Sequence, residues 1–171
     1  MGLCSSIMKK KNISLDNIED MDNSTSKRIP KLIEYKNTTP FIVPLKKGTV
    51  VKVYDGDTIT VANTLPIIDD DTIYRFSVRL NGIDTPELRG GKNEDEKTLA
   101  IMARDFLSGK IMHKQVELRD VKTEKYGRLL ADVWFQGKSM NSLMVEKRFA
   151  VEYDGGTKLS PDNWMTFYNN K

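Results

Sequence analysis

The spacing of apolar residues changes character three times along the chain. Through residues 9–39 no apolar repeat survives more than a few positions, Asn, Asp, Ser, Thr and Lys dominate, and Pro30, Pro40 and Pro44 punctuate the end. Such a stretch cannot bury enough apolar surface to offset chain entropy. Residues 1–45 are therefore expected to be a mostly disordered tail and linker, with Phe41–Leu45 leaning on the domain that follows. From Gly48 the period becomes two. Val51 and Val53 flank Lys52, Asp55-Gly56 makes a turn, and Thr58-Ile59-Thr60-Val61 resumes the alternation, which predicts a hairpin. Phe76, Val78, Leu80 and Gly82 alternate with Ser77, Arg79 and Asn81 and predict a third strand, and Asp69-Asp70-Asp71 before it reads as a solvated loop tip. The period then lengthens: Leu99, Met102, Ala103, Phe106 and Leu107 fall on one helical face, closed by Gly109. Val116 and Leu118 predict a fourth strand, and Leu130–Phe135 a fifth that ends in a turn at Gln136-Gly137. Ser139 is placed to cap a second helix with Met140, Leu143 and Met144 inward, and Ser160-Pro161 to open a short third one carrying Trp164, Phe167 and Tyr168. This α+β order fits a five-stranded OB-type β-barrel with about three helices over residues 46–171.

Composition narrows the chemistry. With 171 residues, 39% of them hydrophobic, the chain can bury one core but not two, and its longest apolar stretches are far too short to cross a bilayer. One cysteine, Cys4, rules out a disulfide framework, and one histidine, His113, rules out a zinc cluster and a His-based acid/base pair. Any reaction must run on carboxylates, Arg, Lys, Tyr or a metal held by oxygen. The net charge of +3 argues only weakly for nucleic acid, because much of the excess lies in the tail.

Three clusters place polar groups beside turns or strand ends: Val53-Tyr54-Asp55-Gly56-Asp57-Thr58, Arg79 to Glu87, and Lys122-Thr123-Glu124-Lys125-Tyr126-Gly127-Arg128. Each has a bland explanation alone. Asp55-Gly56 is an ordinary hairpin turn, Asp84-Thr85-Pro86-Glu87 is common helix-start chemistry, and Tyr126-Gly127-Arg128 is a loop entering a strand. Arg79 is harder to dismiss, since it sits on the face opposite Val78 and Leu80 and wants an anionic partner if the barrel covers it. Together the clusters assemble a site. Asp57 and Asp84 offer two hard oxygen ligands suited to Ca²⁺ or Mg²⁺, Glu87 lies on the same turn as Asp84 to orient a water, and Arg79 and Arg128 supply forked cations for phosphate. Phosphodiester hydrolysis needs those parts.

The clusters resemble the staphylococcal-nuclease (thermonuclease) family: Asp-Gly-Asp-Thr, Arg followed by Asp-Thr-Pro-Glu, and Lys-Tyr-Gly-Arg, in order and over about residues 48–158. The resemblance implies an OB-type barrel and a calcium-dependent nuclease acting on DNA and RNA. It implies that Asp57 and Asp84 bind Ca²⁺ by side chain and Thr85 by its carbonyl, with Asp55 behind them, that Glu87 is the base, and that Arg79 and Arg128 contact the phosphate. Tyr126, and more loosely Tyr153, would line the nucleotide pocket. Two departures stand out: residues 88–97 carry Glu94, Asp95 and Glu96 where the family has a basic loop, and the carboxy-terminal helix is shorter.

Met1-Gly2-Leu3-Cys4-Ser5-Ser6 fits N-myristoylation at Gly2, with S-palmitoylation of Cys4 as a second anchor and Lys9–Lys11 adding attraction to anionic lipid; a chance match is the competing explanation. The expectation is an N-terminally acylated member, like the plant-type calcium-dependent nucleases, on the cytosolic face of the plasma membrane or an endomembrane in a eukaryotic or eukaryote-host cell. Its expected partners are DNA, RNA or both and the membrane. No protein partner is evident, and a monomer is expected. The rival readings are a non-catalytic nucleic-acid-binding OB module, which would have little reason to hold this set of acids and arginines together, and a membrane-tethered adaptor.

Overall fold

A computed structural model of the chain describes residues 32–68, 71–91, 93–124, 127–157 and 160–170. The chain divides into two units, Met1–Pro40 and Phe41–Lys171. The described part of the first, residues 32–40, is exposed and holds a 3₁₀ turn at Tyr35–Asn37. Residues 1–31 of the expected tail, with Gly2, Cys4 and Lys9–Lys11, lie outside the described residues.

The second unit contains strands β1 (Lys47–Val53), β2 (Thr58–Asn63), β3 (Tyr74–Leu80), β4 (Ile83–Asp84), β5 (Gln115–Thr123), β6 (Leu129–Phe135), β7 (Lys138–Ser139) and β8 (Val151–Glu152), and helices α1 (Glu94–Ile111), α2 (Met140–Glu146) and α3 (Trp164–Asn169). β1 pairs antiparallel with β2 and β5, β2 with β3, and β5 with β6. A parallel pairing of β3 with β6, Val78 opposite Leu129 and Leu80 opposite Ala131, closes these five strands into the expected barrel. Two-residue strands β4 and β8 pair beside it. Inward residues such as Ile59, Val78, Leu80 and Val133 share one core with Leu99, Ala103, Leu107 and Ile111 of α1 and with Met140, Met144, Phe149 and Trp164. Leu45 is also buried there, whereas Phe41 stays exposed. Among the described residues no helix is long and apolar enough to cross a membrane.

Several local expectations hold. The Ser139 hydroxyl caps α2 by accepting from Ser142 N, and Gln136 and Gly137, both at positive φ (50° and 75°), form the tight turn between β6 and β7. Others need correction. Strict alternation puts Val51 and Val53 on one face, but a bulge between Val50 and Lys52 adds a residue to β1, so Val50 and Val53 point inward and Val51 is 40% exposed. Gly82 lies in the turn after β3, at φ 76°. Gly109 does not end its helix. Burial of Ile111 outweighs the roughly 1 kcal/mol a helical glycine costs, and the chain turns left-handed only at His113, φ 58°. The third helix begins at Trp164 rather than at Ser160-Pro161, because Asn163 caps it by accepting from Thr166 N at 2.7 Å. The Ser160 hydroxyl is engaged elsewhere, on Asp84.

Asn141 locks the pieces together. Its buried side chain accepts from Val133 N (2.9 Å) and donates to Asn81 O (2.7 Å) and Ala131 O (3.4 Å), tying α2 to β6 and to the turn after β3. Asn141→Ala removes the side-chain partner of Val133 N and Asn81 O, while Ala131 O keeps its bond from Asn81 N at 2.9 Å, and is expected to destabilise the domain by about 2–4 kcal/mol, read as a lower urea midpoint with unchanged slope.

Candidate active site

The three sequence clusters meet at one end of the barrel because strand register brings them there. The β2–β3 register sets Thr58, which follows Asp57, opposite Arg79. The parallel β3–β6 pairing sets Arg79 opposite Leu130, just past Arg128. β4 carries Asp84 across from Val151 of β8, and Tyr153 N donates to Gly82 O at 2.9 Å. Tyr54, Asp55, Asp57, Thr58, Arg79, Thr85, Glu87, Glu124, Arg128 and Tyr153 line a cleft of about 310 Å³. The Asp84-Thr85-Pro86-Glu87 segment starts no helix; it leaves β4 as irregular chain along the cleft edge.

The anionic partner that Arg79 requires is supplied by the protein itself. One terminal nitrogen donates to Asp57 Oδ2 at 2.7 Å, and the other to Asp84 Oδ1 at 3.3 Å and Ile83 O at 3.2 Å. Both carboxylates are 3% exposed. Burial pushes the Asp57 carboxyl up from its ordinary 3.8 to about 7 even though the Arg79 cation pulls it down, and Asp55 pushes it further up. Burial also disfavours the Arg79 cation, but Asp57 and Asp84 outweigh it, and its pKa is raised. The Thr58 hydroxyl donates to Asp57 Oδ1 at 2.9 Å, the Asp55 carboxylate accepts from Asp57 N at 3.2 Å, and Ser160 donates to Asp84 Oδ2 at 3.4 Å. Gly56 packs where a Cβ would stand 3.0 Å from both the Thr85 Cγ2 and the Ala103 Cβ, so no side chain fits there without moving Thr85 or α1. The glycine that reads as a plain turn residue thus also holds the site against the helix.

Arg128 is paired by Nε to Glu124 at 2.6 Å, and its two terminal nitrogens have no partner among the described residues. Glu87 has an exposed side chain at the cleft wall, and its backbone N donates to the buried Glu96 carboxylate at 3.4 Å. This gives the acids of residues 94–96 a structural explanation. They form the first turn of α1, where they favour the helix dipole, with Asn93 as cap accepting from Glu96 N at 2.8 Å.

Of the residues singled out from sequence, Asp55, Asp57, Arg79, Thr85, Glu87, Arg128 and Tyr153 line the cleft and Asp84 abuts it through Arg79; Tyr126 lies outside the described residues. The sequence alone assigns no part in the site to Glu124, Ser160, Glu96 or Tyr54, and reads Ser160 only as a helix start. Glu124 had a signal, since it stands four residues before Arg128, although that spacing usually marks a surface pair. Ser160 had none, being brought to Asp84 from 76 residues away.

A family model described as staphylococcal nuclease homologue matches residues 77–163, a little over half of the chain. The chain belongs to that family. Within the nuclease-homologue match fall Arg79, Asp84, Thr85, Glu87, Tyr126, Arg128 and Tyr153, whereas Asp57 precedes it and joins the site through the β2–β3 register. The chain is 37% identical over 87 residues to a probable endonuclease of Schizosaccharomyces pombe, a match covering 47% of this chain and 37% of that one. It is 32% identical over 116 residues to the protein ParB of Escherichia coli, covering 63% and 57%. It is 33% identical over 103 residues to the thermonuclease of Staphylococcus hyicus, covering 59% and 56%. The chain thus spans between 37% and 57% of the length of these curated relatives.

Proposed function

We propose that this protein is a calcium-dependent nuclease that hydrolyses phosphodiester bonds of DNA, RNA or both. The observation that carries the reading is the pair of buried carboxylates, Asp57 and Asp84, bridged by the half-buried Arg79 in a cleft that also holds Glu87 and Arg128. Burying two acids and a guanidinium is a poor way to stabilise a domain and a common way to build a reactive site. A non-catalytic binding module gains nothing from it.

The donor set fits a hard cation. The cleft lining holds four carboxylates against two guanidinium groups, with no thiol or imidazole. Among the described residues no group of three or more His, Cys, Asp or Glu converges to hold a metal. Asp57 and Asp84 would hold calcium together with the Thr85 carbonyl, and further oxygens would come from substrate and solvent. When bound, the ion neutralises phosphate charge and polarises a phosphoryl oxygen. The remaining work falls to the chain. Glu87, exposed at the cleft wall, takes the proton of the attacking water. The terminal nitrogens of Arg128 and the Arg79 fork donate to non-bridging phosphate oxygens as negative charge accumulates there. Asp55 holds the Asp57 backbone, and Tyr153 lines the nucleotide side of the cleft, with Tyr126 assigned the same task from its sequence position.

Purified protein incubated with single- and double-stranded DNA and RNA is expected to cleave at least one of them with calcium and none with excess chelator. Full activity under chelator defeats the calcium assignment, and no cleavage at all defeats the reading. The Gly2 and Cys4 acyl anchor is a separate proposal that rests on the sequence pattern alone. Gly2→Ala is expected to move the protein from the membrane to the soluble fraction of eukaryotic cells, and Cys4→Ser to leave it partly and reversibly bound.

A further inference from the structure

Arg79 and two hydroxyls divide the oxygens of the buried acid pair between them. On Asp57, Oδ2 accepts from Arg79 at 2.7 Å and Oδ1 from the Thr58 hydroxyl at 2.9 Å. On Asp84, Oδ1 accepts from Arg79 at 3.3 Å and Oδ2 from the Ser160 hydroxyl at 3.4 Å. The two hydroxyls have different origins. Thr58 is the next residue in the chain and opens β2, so Asp57 is oriented by its own strand. Ser160 lies 76 residues beyond Asp84, in the segment that leads into α3.

We infer that Ser160 is a positioning residue for Asp84 and that docking of α3 delivers it, so that cation affinity and the docking of α3 are linked. The inference rests on the calcium assignment above and adds to it a residue and a helix that lie outside the three sequence clusters. A carboxylate oxygen has two lone pairs, so one accepts from a hydroxyl while the other is left for a cation. A hydroxyl also brings no positive charge to repel the ion. What it supplies is orientation, since it narrows the rotation of a side chain that the ion must otherwise restrict by itself. At 3.4 Å the contact is longer than the ~2.8 Å usual for O–H···O, so its weight in the cation-free fold is small.

The helix behind Ser160 is firmly held. Trp164 is buried in the core, and Arg148 donates by Nε to Phe167 O at 2.6 Å while its guanidinium stands 4.0 Å from the centre of the Phe167 ring. Phe149 stacks on Tyr168 at 5.0 Å and meets Phe106 of α1 at 4.9 Å. From this helix the chain runs back through the Asn163 cap and through Pro161, whose ring fixes its own φ, to Ser160. So short a lead has little freedom, and the seat of α3 sets the seat of the Ser160 hydroxyl. Linkage makes the relation reciprocal: a docked helix that favours the cation is favoured by it through the same factor.

The test is a calcium titration followed by calorimetry on the whole protein without substrate. Ser160→Ala is expected to bind calcium about tenfold more weakly than wild type, while its melting temperature in chelator stays within about 2 °C. Ser160→Thr keeps the hydroxyl and should recover most of the affinity. Hydrogen exchange reads the helix directly. The Phe167 and Asn170 amides donate to Asn163 O and Thr166 O at 3.0 and 3.1 Å, and saturating calcium should slow their exchange by up to about tenfold in wild type but not in Ser160→Ala. Equal calcium affinity in wild type and Ser160→Ala, or undiminished calcium protection of α3 in that variant, overturns the inference and leaves the calcium assignment standing. A melting temperature in chelator that falls along with the affinity, with no recovery in Ser160→Thr, makes Ser160 merely structural and overturns it too. Absence of calcium binding by wild type overturns the assignment and the inference with it.

Discussion

Asp57→Asn is expected to lose cation-dependent cleavage by about a thousandfold or more and, in the same protein, to raise the thermal stability of the cation-free domain at pH 8. The two effects have one cause. Asp57 is 3% exposed, and burial lifts its carboxyl to about 7 from 3.8 although Arg79 sits 2.7 Å away. In the unfolded chain it ionises near its ordinary value, so between about pH 4 and 7 the folded protein holds a proton that the unfolded chain has released. Stability therefore falls as pH rises through that window, and above it the folded state carries the whole penalty. Asparagine keeps the shape, keeps its one oxygen for Arg79 while its amide donates to the Thr58 hydroxyl, and removes the penalty. Melting curves of wild type and variant, taken in chelator, should converge near pH 4 and separate in the variant's favour above pH 7. Full calcium-dependent activity in the variant sinks the ligand assignment, and parallel curves at all pH values sink the electrostatic one.

Arg79→Lys is expected to lower kcat by about 10²–10³ with a much smaller change in KM. Arg79 reaches two carboxylates and a carbonyl because its terminal nitrogens diverge in one plane, with contacts of 2.7, 3.2 and 3.3 Å. An ammonium is a single point and cannot span Asp57 and Asp84 while also facing a phosphate. Arg79→Ala goes further, leaving two buried acids without a counter-charge, and should cost about 3–5 kcal/mol of cation-free stability. Millimolar calcium should restore more of that loss than it adds to wild type, because it replaces the missing positive charge between the same carboxylates. Unaltered kcat in Arg79→Lys rules out the phosphate role, and a calcium shift no larger than that of wild type in Arg79→Ala rules out the shared position.

The chemistry of the site was readable because its parts come as short motifs. Asp55-Gly56-Asp57, Arg79 with Asp84-Thr85-Pro86-Glu87, and Arg128 each sit at a strand end, and closure of the barrel between β3 and β6 brings those ends to one cleft. The supporting contacts were not readable. Ser160 reaches Asp84 across most of the domain, and Glu96 holds the Glu87 backbone from inside a helix. Such contacts leave no period or spacing in the chain, since they depend on where two distant elements come to rest.

Alternation in β2 and β3, the helical stripe from Leu99 to Leu107, the Gln136-Gly137 turn and the Ser139 cap were all decided locally, by side-chain period and backbone preference, and the fold class followed from their order. Wherever burial opposed a local rule, burial prevailed. The bulge at Val51 turned that residue outward to keep Val50 and Val53 in the core, and Ile111 carried α1 past Gly109. Tertiary structure alone decided that Gly56 packs against Thr85 and Ala103, and that Arg79 finds its counter-charges at Asp57 and Asp84. The reason is range: propensity and period act over a few residues, whereas desolvation and pairing act between whichever groups the closed barrel puts in contact.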